Sequence, residues 1–112
     1  MTSNSALQAR RVAAVPRGGG TAYPVFADRA EGSEIWDVDG NRYIDFAGGI
    51  AVLNTGHRHP KVVAAVRDQL DHFTHTCFQV VPYEPYIALC ERLNALAPFK
   101  GEAKTILFST GA

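Results

Sequence analysis

Apolar and polar positions divide the chain into stretches of different period. After Pro60, the residues Val62, Val63, Val66, Leu70 and Phe73 recur at helical spacing, with Lys61, Arg67, Asp68 and Asp71 on other faces. That pattern predicts an amphipathic helix. Tyr86, Leu89, Cys90, Leu93 and Leu96 repeat it after the loop Pro82-Tyr83-Glu84-Pro85, and Pro98 closes this second helix. Cys90 lies on the apolar stripe and reads as a small core residue. A shorter helix is predicted over 5–15, with Ser5 as N-cap and Pro16 followed by Gly18-Gly19-Gly20 as its stop. Two stretches carry strand character. Within 34–46, Ile35, Trp36 and Val38 lead into Asp39-Gly40, and Tyr43, Ile44 and Phe46 lead out. Asp-Gly between β-prone runs predicts a hairpin with a type I′ turn, positive φ at both central positions. Lys104-Thr105-Ile106-Leu107-Phe108 reads as a short apolar strand of the kind covered on both faces in a parallel sheet.

One stretch fits neither period. Asp45-Phe46-Ala47-Gly48-Gly49-Ile50-Ala51-Val52-Leu53-Asn54-Thr55-Gly56-His57-Arg58-His59-Pro60 is nearly uncharged until its end. Adjacent glycines permit close backbone approach, Asn54-Thr55-Gly56 breaks the apolar run, and Pro60 suits the first turn of the following helix. An apolar loop punctuated in this way is expected inside a protein. It is either a buried connector without chemistry or a wall against a ligand or a partner chain.

Composition narrows the function classes. The chain has 112 residues with balanced charge, 11 basic against 11 acidic, which argues against a nucleic-acid surface or a polybasic membrane patch. No apolar run is long enough to cross a bilayer, and the first residues lack the features of a secretory signal. The two cysteines, Cys77 and Cys90, make no disulfide framework, so a cytoplasmic location is expected. Familiar chemical motifs fail one by one. The triple glycine has no strand before it, which disfavours a phosphate loop. Asp37-Val38-Asp39-Gly40-Asn41 lacks the terminal acid of a calcium loop. His57, His59, His72, His75 and Cys77 match no zinc-ligand spacing, and Ser109 is in no nucleophile elbow. Cys77 beside His75 is better explained by local packing than by a nucleophile pair. Ser109-Thr110-Gly111-Ala112 after the last strand resembles the turn into a helix where α/β proteins hold phosphate groups. A doubly covered strand with one hairpin for company, and no helix after it, leads us to expect the N-terminal fragment of a larger α/β protein.

The run from Asp45 to His57, with His59-Pro60-Lys61-Val62 after it and Ile35-Trp36-Asp37-Val38-Asp39-Gly40-Asn41 before it, closely resembles the class III aminotransferases. Pro16-Arg17-Gly18, Pro24-Val25-Phe26-Ala27-Asp28-Arg29-Ala30, His75-Thr76-Cys77-Phe78-Gln79-Val80 and Tyr83-Glu84-Pro85-Tyr86 are most similar to the bacterial branch that uses 4-aminobutyrate. The resemblance implies an α/β chain forming the N-terminal portion of a fold type I transferase dependent on pyridoxal 5′-phosphate. That portion would comprise an N-terminal helix, a β-hairpin, two amphipathic helices and the first strand of the large-domain sheet. Residues 1–103 would belong to the small domain and interface region, and 104–112 would open the large cofactor-binding domain. The implied enzyme is a homodimer that moves the amino group of 4-aminobutyrate to 2-oxoglutarate, giving succinate semialdehyde and glutamate. Another ω-amino-acid or ornithine-type donor is the alternative, and a non-catalytic module binding a partner through 46–53 is the alternative of a different class. By the resemblance, Gly111 and Ala112 match the turn that holds the cofactor phosphate through backbone N–H groups. Many relatives carry a hydroxyl residue where Ala112 stands. Ile50 matches a residue lining the substrate pocket, and Gln79 one close to the active site near the dimer interface. Lys61, Lys100 and Lys104 do not sit in the family's Schiff-base motif, so no catalytic residue is assigned and the chain alone is expected to be inactive.

Overall fold

The computed structural model describes residues 2–109, which divide into two compact units with the boundary between Asp68 and Gln69. The first unit begins with helix α1 (Asn4–Ala14). Its cap is Ser3 rather than the expected Ser5: the Ala6 N–H donates to Ser3 Oγ at 3.2 Å, so the helix starts one residue earlier. Pro16 and a short 3₁₀ turn, Arg17–Gly19, follow it.

Three antiparallel strands come next, β1 (Ala27–Glu31), β2 (Glu34–Asp37) and β3 (Arg42–Ile44), in the spatial order β1-β2-β3. The expected hairpin is present, with Glu34 opposite Ile44, Ile35 opposite Tyr43 and Trp36 opposite Arg42. Its turn is not type I′. The Gly40 N–H donates to Asp37 O and the Asp37 N–H to Asn41 O, and only Gly40 has positive φ, 88°. These bonds define a three-residue loop ending in a left-handed glycine, which Asp39 enters without strain. Strand β1 is absent from the sequence-based expectation. Ala27-Asp28-Arg29-Ala30-Glu31 has neither alternation nor β-branched residues, and it becomes a strand through tertiary pairing with β2. The Arg29 guanidinium lies over the Trp36 ring, 3.6 Å from its centroid, across that pair.

What ties α1 to the hairpin is polar. Asp37, only 2% exposed, accepts hydrogen bonds from the Asp39 and Asn41 N–H groups, the Asn41 amide, the Tyr43 hydroxyl (2.9 Å) and the Asn4 amide (2.9 Å). Asn4 Oδ1 in turn accepts from the Phe26 N–H at 2.8 Å, and the Asn4 N–H, free at the helix start, donates to the Asp39 carboxylate. Burial pushes the Asp37 carboxyl up, but the bonds from Asn41, Asn4 and Tyr43 outweigh it and hold the group far below the usual carboxylate range. The same bond pushes the Tyr43 phenol above its ordinary value. The sequence that suggested a calcium loop is a carboxylate hub satisfied by the protein's own donors.

Helix α3 (Pro60–Leu70) begins at Pro60 as expected; Phe73 lies beyond its end. Between β3 and α3 lies a single turn, α2 (Gly48–Ala51). In the second unit, α4 (Glu84–Leu96) carries Pro85 in its first turn and stops at Ala97-Pro98. Before it, Phe73, Phe78, Tyr83 and Tyr86 form an aromatic cluster in which Phe78 and Tyr86 stack at 3.9 Å and the other pairs meet edge to face. The segment 104–108 pairs with no strand among the described residues. It is held to α4 by side chains instead: the Leu107 N–H donates to the Tyr86 hydroxyl at 3.0 Å, and the Thr105 hydroxyl to Asn94 Oδ1 at 2.7 Å.

Among the described residues no apolar side chain is fully buried. Cys90, expected in a core, is half-buried on α4. Val62, Val66 and Leu70 of α3 and Ile87, Leu89, Leu93 and Leu96 of α4 remain exposed, so the apolar stripes are present without a surface to cover them.

Candidate functional site

The 45–57 stretch forms a loop whose ends are fixed on the β-meander. At its entrance the Asp45 N–H donates to Ser33 O at 2.8 Å. At its exit His57 pairs with Gly32, the His57 N–H donating to Gly32 O at 2.7 Å and the Gly32 N–H to His57 O at 3.0 Å. Gly56 has φ +79°, and a Cβ there would stand 2.8 Å from the Gly32 carbonyl oxygen. Only glycine allows this approach.

Side chains close the loop as well. Asp45 Oδ1 accepts from the Ala47 and Gly48 N–H groups at 3.0 and 2.9 Å, and Asp45 Oδ2 accepts from His57 Nε2 at 2.7 Å. The Asp45 side chain is 8% exposed. The His57 bond first, and then the Gly48 N–H, hold its carboxyl below the ordinary range against the opposing effect of burial. Beneath the loop is a cleft of about 390 Å³ lined by Gly32, Asp45, Gly48, Leu53 and His57 among others.

The loop itself is strained. Gly48, Gly49, Ile50 and Ala51 all have positive φ, 53°, 65°, 62° and 61°, and the Ala51 and Val52 N–H groups donate to Ala47 O and Gly48 O. This is one turn of left-handed helix. Two glycines adopt it freely, but for Ile50 and Ala51 the conformation costs about 1–2 kcal/mol each, and for a β-branched residue it is rare. The turn carries Ile50 at 94% exposure, flanked by Phe46 at 95%. The expectation of a buried loop is therefore not met within this unit: its apolar side chains face outward.

Gln79 belongs to the other unit. The chain turns at Cys77, φ +55°, and the Cys77 thiol donates to Gln79 Oε1 at 3.3 Å, leaving the glutamine exposed. A cleft of about 240 Å³ in that unit is lined by Gln69, Phe73, Thr74, His75, Tyr83 and Pro85, without Gln79. Gly111 and Ala112 lie outside the described residues. Sequence reasoning misses the Asp45–His57 pair: it places both residues in the run that carries the resemblance and sets neither against the other. The available signal was an aspartate just before a Gly-rich turn, where its carboxylate can accept the next free N–H groups.

Comparison with known proteins places this architecture. The chain belongs to the family described as aminotransferase class-III, whose model matches residues 15–112. Its fold class is the α/β, fold type I class of these transferases. It is 59% identical over all 112 residues to 4-aminobutyrate aminotransferase of Escherichia coli and 59% identical over 110 residues to 5-aminovalerate aminotransferase of Pseudomonas putida, covering 26% of each. Acetylornithine aminotransferase from Elizabethkingia anophelis superposes with a TM-score of 0.78 at 25% identity, over 89% of this chain and 26% of that one. The chain thus spans about a quarter of the length of the relatives it matches. No helix among the described residues is long and apolar enough to cross a membrane.

Proposed function

We propose that the chain is the part of a pyridoxal 5′-phosphate-dependent 4-aminobutyrate aminotransferase that supplies an apolar wall of the substrate pocket and the start of the cofactor-phosphate site. The observation that carries this reading is the 59% identity to the Escherichia coli enzyme across the whole chain. In the same reading 2-oxoglutarate is the amino acceptor, the whole enzyme is a homodimer, 1–103 form the small domain and interface region, and 104–112 open the large domain. A second reading has 5-aminovalerate as the donor, favoured by the equally identical Pseudomonas putida relative. The two donors differ by one methylene, a difference that an apolar wall separates by only about 1–3 kcal/mol.

When bound, the cofactor supplies the electron sink for amino-group transfer. The chain's own residues bind and orient. Ile50, exposed on its turn, offers aliphatic surface to the methylene chain of the donor, and Gln79 offers an exposed amide. Gly111 and Ala112 bring backbone N–H donors and no bulky side chain, a donor set that fits a phosphate.

The test is the full-length protein assayed with 2-oxoglutarate and either donor. Transfer from 4-aminobutyrate with the higher kcat/KM is expected; preference for 5-aminovalerate selects the second reading, and transfer from neither overturns both. Ile50→Gln should lower kcat/KM for the donor by about 1–3 kcal/mol in transition-state binding with the melting temperature unchanged. A lowered melting temperature with normal kinetics in the surviving enzyme would assign Ile50 to the scaffold.

A further inference from the structure

Asp45 divides its two oxygens between tasks. One accepts the N–H groups of Ala47 and Gly48, where the left-handed turn begins; the other accepts from His57, where the loop returns to the sheet. Backbone bonds anchor the same two residues, Asp45 to Ser33 and His57 to Gly32, so entrance and exit are fixed to one β-turn. The segment between them holds Ile50 and Ala51 in a conformation that L-residues avoid. Left alone, such a turn relaxes toward negative φ and carries Ile50 elsewhere. It persists only where its surroundings over-determine it, and strain of this kind concentrates at ligand clamps. The exposed Ile50 and Phe46 show that packing does not hold the turn within this unit.

We propose that Asp45 and His57 form a clasp that holds the left-handed turn, fixes the position of Ile50, and so sets the enzyme's discrimination between ω-amino donors of different length. Asp45 and His57 are positioning residues that act through Ile50. The second half of the proposal rests on the reading of Ile50 as a pocket residue. A donor longer by one methylene is rejected only if the wall is rigid, because a wall that yields accommodates either chain.

The experiment compares His57→Ala, His57→Gln and Asp45→Asn with the parent in the full-length enzyme with cofactor bound. Two readouts are used: amide hydrogen exchange at Ala51, Val52 and Leu53, and steady-state kinetics with 4-aminobutyrate and 5-aminovalerate. Without the His57 bond, exchange at these amides should quicken by about tenfold or more, as expected for loss of a charge-assisted bond. KM for the preferred donor should rise and the ratio of kcat/KM between donors should fall toward unity, while kcat stays within about threefold. His57→Gln, which keeps an N–H near the Nε2 position, should recover most of both effects. In a double-mutant cycle, Ile50→Ala should cost little donor discrimination once His57 is alanine. Exchange unchanged in His57→Ala and Asp45→Asn overturns the clasp. Faster exchange with donor discrimination intact, or effects of His57→Ala and Ile50→Ala that simply add, overturns the link to specificity. If the parent transfers from neither donor, the functional reading fails and the specificity half fails with it, whereas the exchange data still decide whether the clasp holds the turn.

Discussion

Gly56→Ala tests the geometry on which the loop depends. The added Cβ would stand 2.8 Å from Gly32 O and 3.1 Å from Gly32 C, both backbone atoms that cannot rotate away. The residue would also hold φ +79°, which costs a side-chain-bearing residue about 1–2 kcal/mol. Relieving the overlap requires Gly32 and His57 to separate. That weakens two backbone bonds now at 2.7 and 3.0 Å, each contributing about 0.5–1.5 kcal/mol net. The local cost is therefore about 2–5 kcal/mol, or an exchange rate raised about 30- to 5,000-fold. The assay is native-state hydrogen exchange of the Gly32 and His57 amides in the full-length protein. Gly18→Ala serves as control, since a Cβ there meets nothing within 4 Å. Protection of both amides within about twofold of the parent, the size of a neutral surface change, would refute the close approach.

The Asp45 carboxylate gives a pH dependence of definite sign. Its folded value lies below the ordinary 3.8, so the stabilisation is complete above that pH and is lost as the pH falls through the folded value. Protection of the Ala47 and Gly48 amides should collapse in that acid range in the parent and show no such step in Asp45→Asn; matching acid profiles would count against the bond network. In the full-length enzyme, Gly111→Val should weaken cofactor affinity in a spectral titration, because a β-branched side chain blocks backbone approach to a phosphate. Unchanged affinity would remove Gly111 from the site. The 112-residue chain alone, given both substrates and cofactor, should show no more amino transfer than free cofactor does, as expected if the cofactor-holding lysine is not among Lys61, Lys100 and Lys104. Activity clearly above that background would contradict the assignment of the chemistry to other parts of the enzyme.

Local chemistry settled much of this molecule in advance. Pro60 and Pro98 bracket helices that the 3.6-residue spacing of Val62, Val66 and Leu70, and of Tyr86, Leu89 and Leu93, had already marked. Asp39-Gly40 marked the hairpin, and the run from Asp45 to His57 marked the family. Each of these rests on interactions within a few residues of one another. What the sequence alone could not decide depends on partners far along the chain. Ala27–Glu31 is a strand only because β2 lies beside it. Asp37 reads from the sequence as part of the hairpin; that Asn4, more than thirty residues away, fills one of its hydrogen-bonding positions is set by the tertiary structure. Ile50 resembles core until the left-handed turn lifts it into solvent. The clasp between Asp45 and His57 exists because both residues are anchored to the same β-turn, at Gly32 and Ser33. Periodicity reports which way a side chain faces on its own element; which distant group meets it is set by tertiary pairing alone.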